Sequence, residues 1–209
     1  MTIEDFGARV TSVWEGLRPA TRDLVERALR AMPASPPTNQ TARAVTVYDA
    51  RSEWELSLLL AALDERATET AAHRLSDEQT HELGHMVAAC VAVLQSGARS
   101  AEVFGQLLER ALRARNYAGV DVLADSLNAR VAPTELCELA RHANPAVRAL
   151  AHEALMQTPT ATLVTLLGDP VDADIARDAL EHQADEYGSE EARWIVNALE
   201  HAESCDDDM

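Results

Sequence analysis

Two stretches of the chain repeat one another about 26 residues apart. Pro133-Thr134-Glu135-Leu136-Cys137-Glu138-Leu139-Ala140, followed by Asn144-Pro145-Ala146-Val147-Arg148, is answered by Pro159-Thr160-Ala161-Thr162-Leu163-Val164-Thr165-Leu166-Leu167, followed by Asp169-Pro170 and Ile175-Ala176-Arg177. A unit this short cannot bury its apolar face alone, so the recurrence predicts helical units stacked on one another. In each unit Pro-Thr opens a short helix and Asn-Pro or Asp-Pro makes the turn. A second helix then carries an Ala-x-x-Ala-Leu face, Ala151, Ala154 and Leu155 in one unit and Ala176, Ala179 and Leu180 in the next. Val122, Ala124 and Leu127 suggest a fainter, earlier unit without the Pro-Thr opening.

The rest of the composition agrees with helices. Aromatic residues make up 4% of the 209 residues, and glycine and proline number 8 each. Alanine and leucine dominate, which favours helix over sheet and predicts an all-α protein. Residues 1–32 read as a helical hairpin with Val10, Val13, Trp14 and Leu17 on one stripe and Leu24, Val25, Ala28 and Leu29 on the other. Residues 33–51 are a proline-rich linker and an extended segment, in which residues 43–49 alternate at period two as the single candidate strand. Residues 52–116 return to helical period, restarting at Ser76 with acids in the first turn. Residues 117–203 hold the short repeats, and 204–209 form an acidic tail expected to be disordered. Trp14, Trp54 and Trp194 stand at helical spacing from aliphatic neighbours and are expected as core anchors.

Across residues 117–188 this pattern resembles HEAT-like repeats and the leucine-rich-repeat variant family. The residues that carry the resemblance are Pro133, Leu136, Leu139, Pro145, Val147 and Arg148, then Pro159, Leu163, Leu166, Asp169, Pro170, Ile175 and Arg177. One extra residue separates Ile175 from Arg177, so the Val-Arg pair of the first unit is not strictly reproduced. The resemblance implies a short, curved α-solenoid, preceded here by the N-terminal helical segment and used for protein contacts.

The net charge of −17 is unevenly placed. Residues 169–209 contain 14 acidic side chains against Arg177 and Arg193 alone. Such a surface repels phosphate backbones and attracts a basic protein or peptide segment, so direct nucleic-acid binding is not expected. Asp169, Asp172, Asp174, Asp178, Glu181, Asp185 and Glu186 are the candidate partner-binding residues. An acidic DNA mimic, occupying a nucleic-acid-binding protein, is an alternative use of the same charge. The acidic start of the chain and the lack of a long apolar run predict a cytoplasmic protein with no membrane segment. Cys90, Cys137 and Cys205 are too scattered for a disulfide framework or a metal knuckle. All 18 basic residues are arginine, in keeping with a composition that also favours alanine.

One pentapeptide has catalytic chemistry in it. His81-Glu82-Leu83-Gly84-His85 is an HExxH sequence on an expected helix. Two imidazoles one turn apart can ligate zinc while the intervening glutamate activates a bound water. Over these five residues it resembles the zinc metallopeptidases, with His81 and His85 as metal ligands and Glu82 as the catalytic base. A third ligand is unassigned, with Glu102 and Glu109 as candidates. Ala88 and Val91 occupy the glycine and third-histidine places of the longer form of the motif. No cofactor is expected outside this alternative. The repeats and the localised charge together favour a helical-repeat interaction module that serves as adaptor, scaffold or inhibitor.

Overall fold

A computed structural model describes residues 3–31, 49–69 and 75–206; the side chains of 202–206 are outside the description. Among the described residues every regular element is helical. The candidate strand falls on residues outside the described set, apart from Asp49, which caps a helix. A short 3-10 turn, Ile3–Phe6, precedes α1 (Ala8–Gly16), α2 (Pro19–Ala31), α3 (Ala50–Thr68) and α4 (Asp77–Gly97). Then come α5 (Ala101–Arg113), α6 (Tyr117–Arg130), α7 (Pro133–Ala140), α8 (Pro145–Met156), α9 (Thr160–Leu166), α10 (Ala173–Asp185) and α11 (Glu190–Asp206). Two units are formed, residues 1–98 and 99–209.

In the first unit α3 is the central helix. It packs on α4 and α1, while α2 packs mainly on α4. Leu56, Leu59, Leu60 and Leu63 of α3 meet Val10, Leu24 and Val25 and the α4 stripe Leu83, Val87, Cys90 and Leu94 in one buried core. The helix starts are chemically marked. Asp49 caps α3 by accepting from the Ser52 N–H at 2.6 Å, and Ser76 with Gln79 forms a reciprocal capping box at the start of α4.

The expected tryptophan anchors divide. Trp14 is half-buried, but Trp54 is 53% exposed and Trp194 80% exposed. α3 is so nearly enclosed that Ser52, Glu53, Glu55 and Ser57 are buried with its leucines, and its open edge runs through Trp54 and Leu58. Apolar spacing on a helix places a stripe but cannot say which edge of it a neighbour covers.

In the second unit α5 packs on α6 and α7, α6 on α8, α7 on α8 and α9, and α8 and α9 on α10, with α11 last against α10. The 26-residue echo is the mean of two different steps. The first helices are offset by 27 residues, since Pro133 stands in the first turn of α7 whereas Pro159 precedes α9 as its cap; Leu136 and Leu139 correspond to the equally buried Leu163 and Leu166. The second helices are offset by 25, Ala151, Ala154 and Leu155 corresponding to Ala176, Ala179 and Leu180, all buried. In the fainter unit, Leu127 is buried together with Val120 and Leu123 of α6, while Val122 is exposed.

Candidate functional site

The shorter step in the second helices has a chemical consequence. The place that buried Val147 holds in one unit falls, 25 residues on, on Asp172. Asp172 is 5% exposed, and its carboxylate accepts from Arg141, whose guanidinium also donates to the Val171 carbonyl at 2.6 Å. A buried carboxylate needs such a partner because desolvation penalises a lone charge. Arg141 caps the end of α7, so the pair fastens one unit to the next. Asp172 is therefore buried and paired within the fold, unlike the other carboxylates of the acidic stretch named with it as partner-binding candidates.

The other six candidate carboxylates reach solvent. Asp169, Asp174, Asp178, Glu181, Asp185 and Glu186 are all exposed. Asp174, Asp178, Glu181 and Asp185 follow the i, i+4, i+7, i+11 spacing and make one stripe along α10. Asp169 is held in place at the preceding turn by accepting from the Val171 N–H at 2.9 Å. His182 donates from Nδ1 to the Asp178 carbonyl at 2.7 Å, within its own helix. On the buried side of α10, Gln183 donates to the carbonyls of Met156 at 2.9 Å and Thr158 at 2.7 Å and accepts from Thr160 Oγ1 at 3.0 Å. Those bonds set the rotation of α10, and with it the outward direction of the acidic stripe.

Exposed apolar side chains accompany the charge. Val171 lies in the α9–α10 turn, Tyr187 between α10 and α11, and Trp194 on α11, each more than half exposed. Tyr187 and Val171 stand in turns where helical periodicity gives no signal, and Trp194, expected as a core anchor, lies on the surface. A signal for Trp194 was present: Ala192, Ile195, Val196 and Leu199 make the apolar stripe of α11, and at about 100° per residue Trp194 falls on the opposite side.

HELGH lies on α4, with Leu83 buried, His81 exposed, and Glu82 and His85 half-buried. The two imidazole centroids are 4.5 Å apart with the rings tilted by 53°. Glu102 and Glu109 lie on α5 in the other unit, the first exposed and the second half-buried. Among the described residues no group of three or more His, Cys, Asp or Glu side chains is gathered so as to hold a metal ion. Catalytic zinc ordinarily takes three protein ligands, and the described HELGH residues supply two.

Neither described thiol is a nucleophile near neutral pH. Burial pushes Cys90 up to about 12. Cys137 is raised to about 11, chiefly by burial, with the Asp172 carboxylate adding to the effect.

Among the described residues of the first unit a connected polar cluster is built around Arg18. Its guanidinium donates to Glu55 Oε1 at 3.0 Å, to both Asp49 oxygens at 2.7 and 3.2 Å and to Ser52 Oγ at 2.9 Å. Glu55 also accepts from the Arg18 N–H and the Thr21 hydroxyl. The Arg18 hydrogen bond, with the Ser52 N–H, holds Asp49 well below the usual carboxylate range. For Glu55, burial pushes the pKa up, but the Thr21 hydroxyl and the Arg18 N–H and charge outweigh it and leave a net lowering. Every acceptor here is engaged in joining α2 to α3, so the cluster is structural.

No protein-family model, curated protein or solved structure matches the chain.

Proposed function

We propose that the protein is a helical-repeat interaction module whose acidic C-terminal face docks a basic protein or peptide segment. The alternating packing of α5, α7 and α9 with α6, α8 and α10 supports reading the second unit as a short α-solenoid. The observation that carries the function is the exposed carboxylate stripe Asp174, Asp178, Glu181 and Asp185. Like charges in a row on one helix face destabilise the free protein slightly and are relieved when a cation-bearing partner binds. The same stripe lies on a helix whose inner side is tied by Gln183, so its geometry is set before the partner arrives.

The test is capture of a basic peptide at about 50 mM and about 500 mM salt, a range over which the Debye length falls about threefold. Binding that weakens steeply across the range, and weakens again in Asp178→Asn/Glu181→Gln, supports an electrostatic dock. Equal capture at both salts would count against it. Duplex DNA competing for the same basic partner would move the reading toward a DNA mimic.

A further inference from the structure

Among the described residues, one face of the last helix is left exposed. α11 packs on α10 through Ala192, which is fully buried, with Ile195, Val196 and Leu199 half-buried beside it. On the opposite side Trp194 is 80% exposed, the most exposed of the large apolar side chains among the described residues. Glu190 and Glu191 precede it by four and three residues, one helical turn away, and both are exposed. Side chains at these spacings stand one above another on a helix surface. An exposed indole therefore shares one turn of α11 with two exposed carboxylates, on the side turned away from α10.

Charge selects among the occupants of such a face. A second copy of this chain would bring its own acidic stretch, 14 acids against two arginines over residues 169–209, against this one. An anionic lipid surface is repelled for the same reason. A neutral apolar segment would cover the indole and leave the carboxylates without a partner. A guanidinium satisfies both, because it stacks on an aromatic face and its planar edge pairs with a carboxylate.

We propose that Trp194, with Glu190 and Glu191, is an arginine-binding platform on α11 and the anchor of the basic partner. The inference rests on the acidic-dock reading above and adds to it the anchor residue and a preference for arginine over lysine. Lysine would keep the attraction to the stripe but would lose the planar stacking.

The probe is a fluorescein-labelled peptide of alternating arginine and alanine, compared by anisotropy with its lysine and citrulline counterparts on the full chain. The arginine peptide is expected to bind several-fold tighter than the lysine peptide, and the citrulline peptide, which lacks the charge, not at all. Trp194→Ala should weaken the arginine peptide about five- to thirtyfold, the range that a desolvated cation–π contact supplies. Trp194→Leu, which keeps apolar area, should lose several-fold. The thermal midpoint of Trp194→Ala should stay at the wild-type value, which separates lost binding from lost folding. If the arginine peptide binds, and Asp178→Asn/Glu181→Gln weakens it while Trp194→Ala does not, the platform is refuted and the acidic dock stands. Failure of the arginine peptide to bind at low salt refutes both. Equal binding of the citrulline peptide, or self-association of the free protein abolished by Trp194→Ala, overturns the platform.

Discussion

Glu55→Gln tests the buried polar cluster that joins α2 to α3. Glu55 is 4% exposed and accepts from the Arg18 N–H at 3.3 Å, Arg18 Nε at 3.0 Å and the Thr21 hydroxyl, with Arg51 Nε at 3.4 Å. Glutamine preserves the shape but removes the charge. It also turns one acceptor into an NH₂ group facing donors that it cannot satisfy. Removing one partner of a buried ion pair costs about 3–5 kcal/mol. Arg18 keeps Asp49 in the variant, so we expect a loss of about 2–4 kcal/mol. Urea unfolding at pH 7, followed by the fluorescence of Trp14 and Trp54 in the first unit, measures it. The pH dependence supplies a second readout. Because the folded pKa of Glu55 lies below the ordinary 4.5, its contribution is present above that pH and is lost as the pH falls through the lower folded value. The difference between wild type and Glu55→Gln should therefore shrink as the pH falls below about 4.5. A variant within about 0.5 kcal/mol of wild type at pH 7 would refute the account of Glu55 as a stabilising buried anion.

Other outcomes follow from single contacts. Arg115 has a left-handed backbone, φ 53°, in the turn that ends α5, so Arg115→Gly should stabilise the second unit by about 1 kcal/mol in thermal or urea unfolding. A Cβ on Gly105 would stand 3.1 Å from Nε2 of His142, so Gly105→Ala should cost about 1–2 kcal/mol unless that imidazole yields. Gln183→Ala would leave the Met156 and Thr158 carbonyls without their donor and should cost about 2–3 kcal/mol by calorimetry. Asp172→Asn should lower stability by about 1–3 kcal/mol and leave basic-peptide affinity nearly unchanged, whereas Asp178→Asn/Glu181→Gln should show the reverse.

The helices were legible because their signals are local. Ser76 and Ser100 mark starts that the structure caps with those hydroxyls, and the stripe Leu83, Val87, Cys90 and Leu94 is buried as its period requires. The Ala-x-x-Ala-Leu faces of α8 and α10 are buried for the same reason. Pro133 and Pro159 look equivalent in sequence yet occupy different positions in their helices, because proline suits both the first turn and the residue before it.

The candidate site was legible only in outline. Asp172 and Asp174 are the same residue type two positions apart in an acidic run, and nothing local separates them. Arg141, 31 residues earlier, makes one a buried tie, while the other faces solvent. Trp54 carries the same helical spacing as its buried neighbours, and only the placement of the helices around α3 leaves it open. By itself the sequence determined the helical class and the concentration of acid in residues 169–209, because each is a property of residue type and spacing. The tertiary structure decided which carboxylates are available and which tryptophans are covered, because burial and pairing depend on side chains brought together from distant parts of the chain.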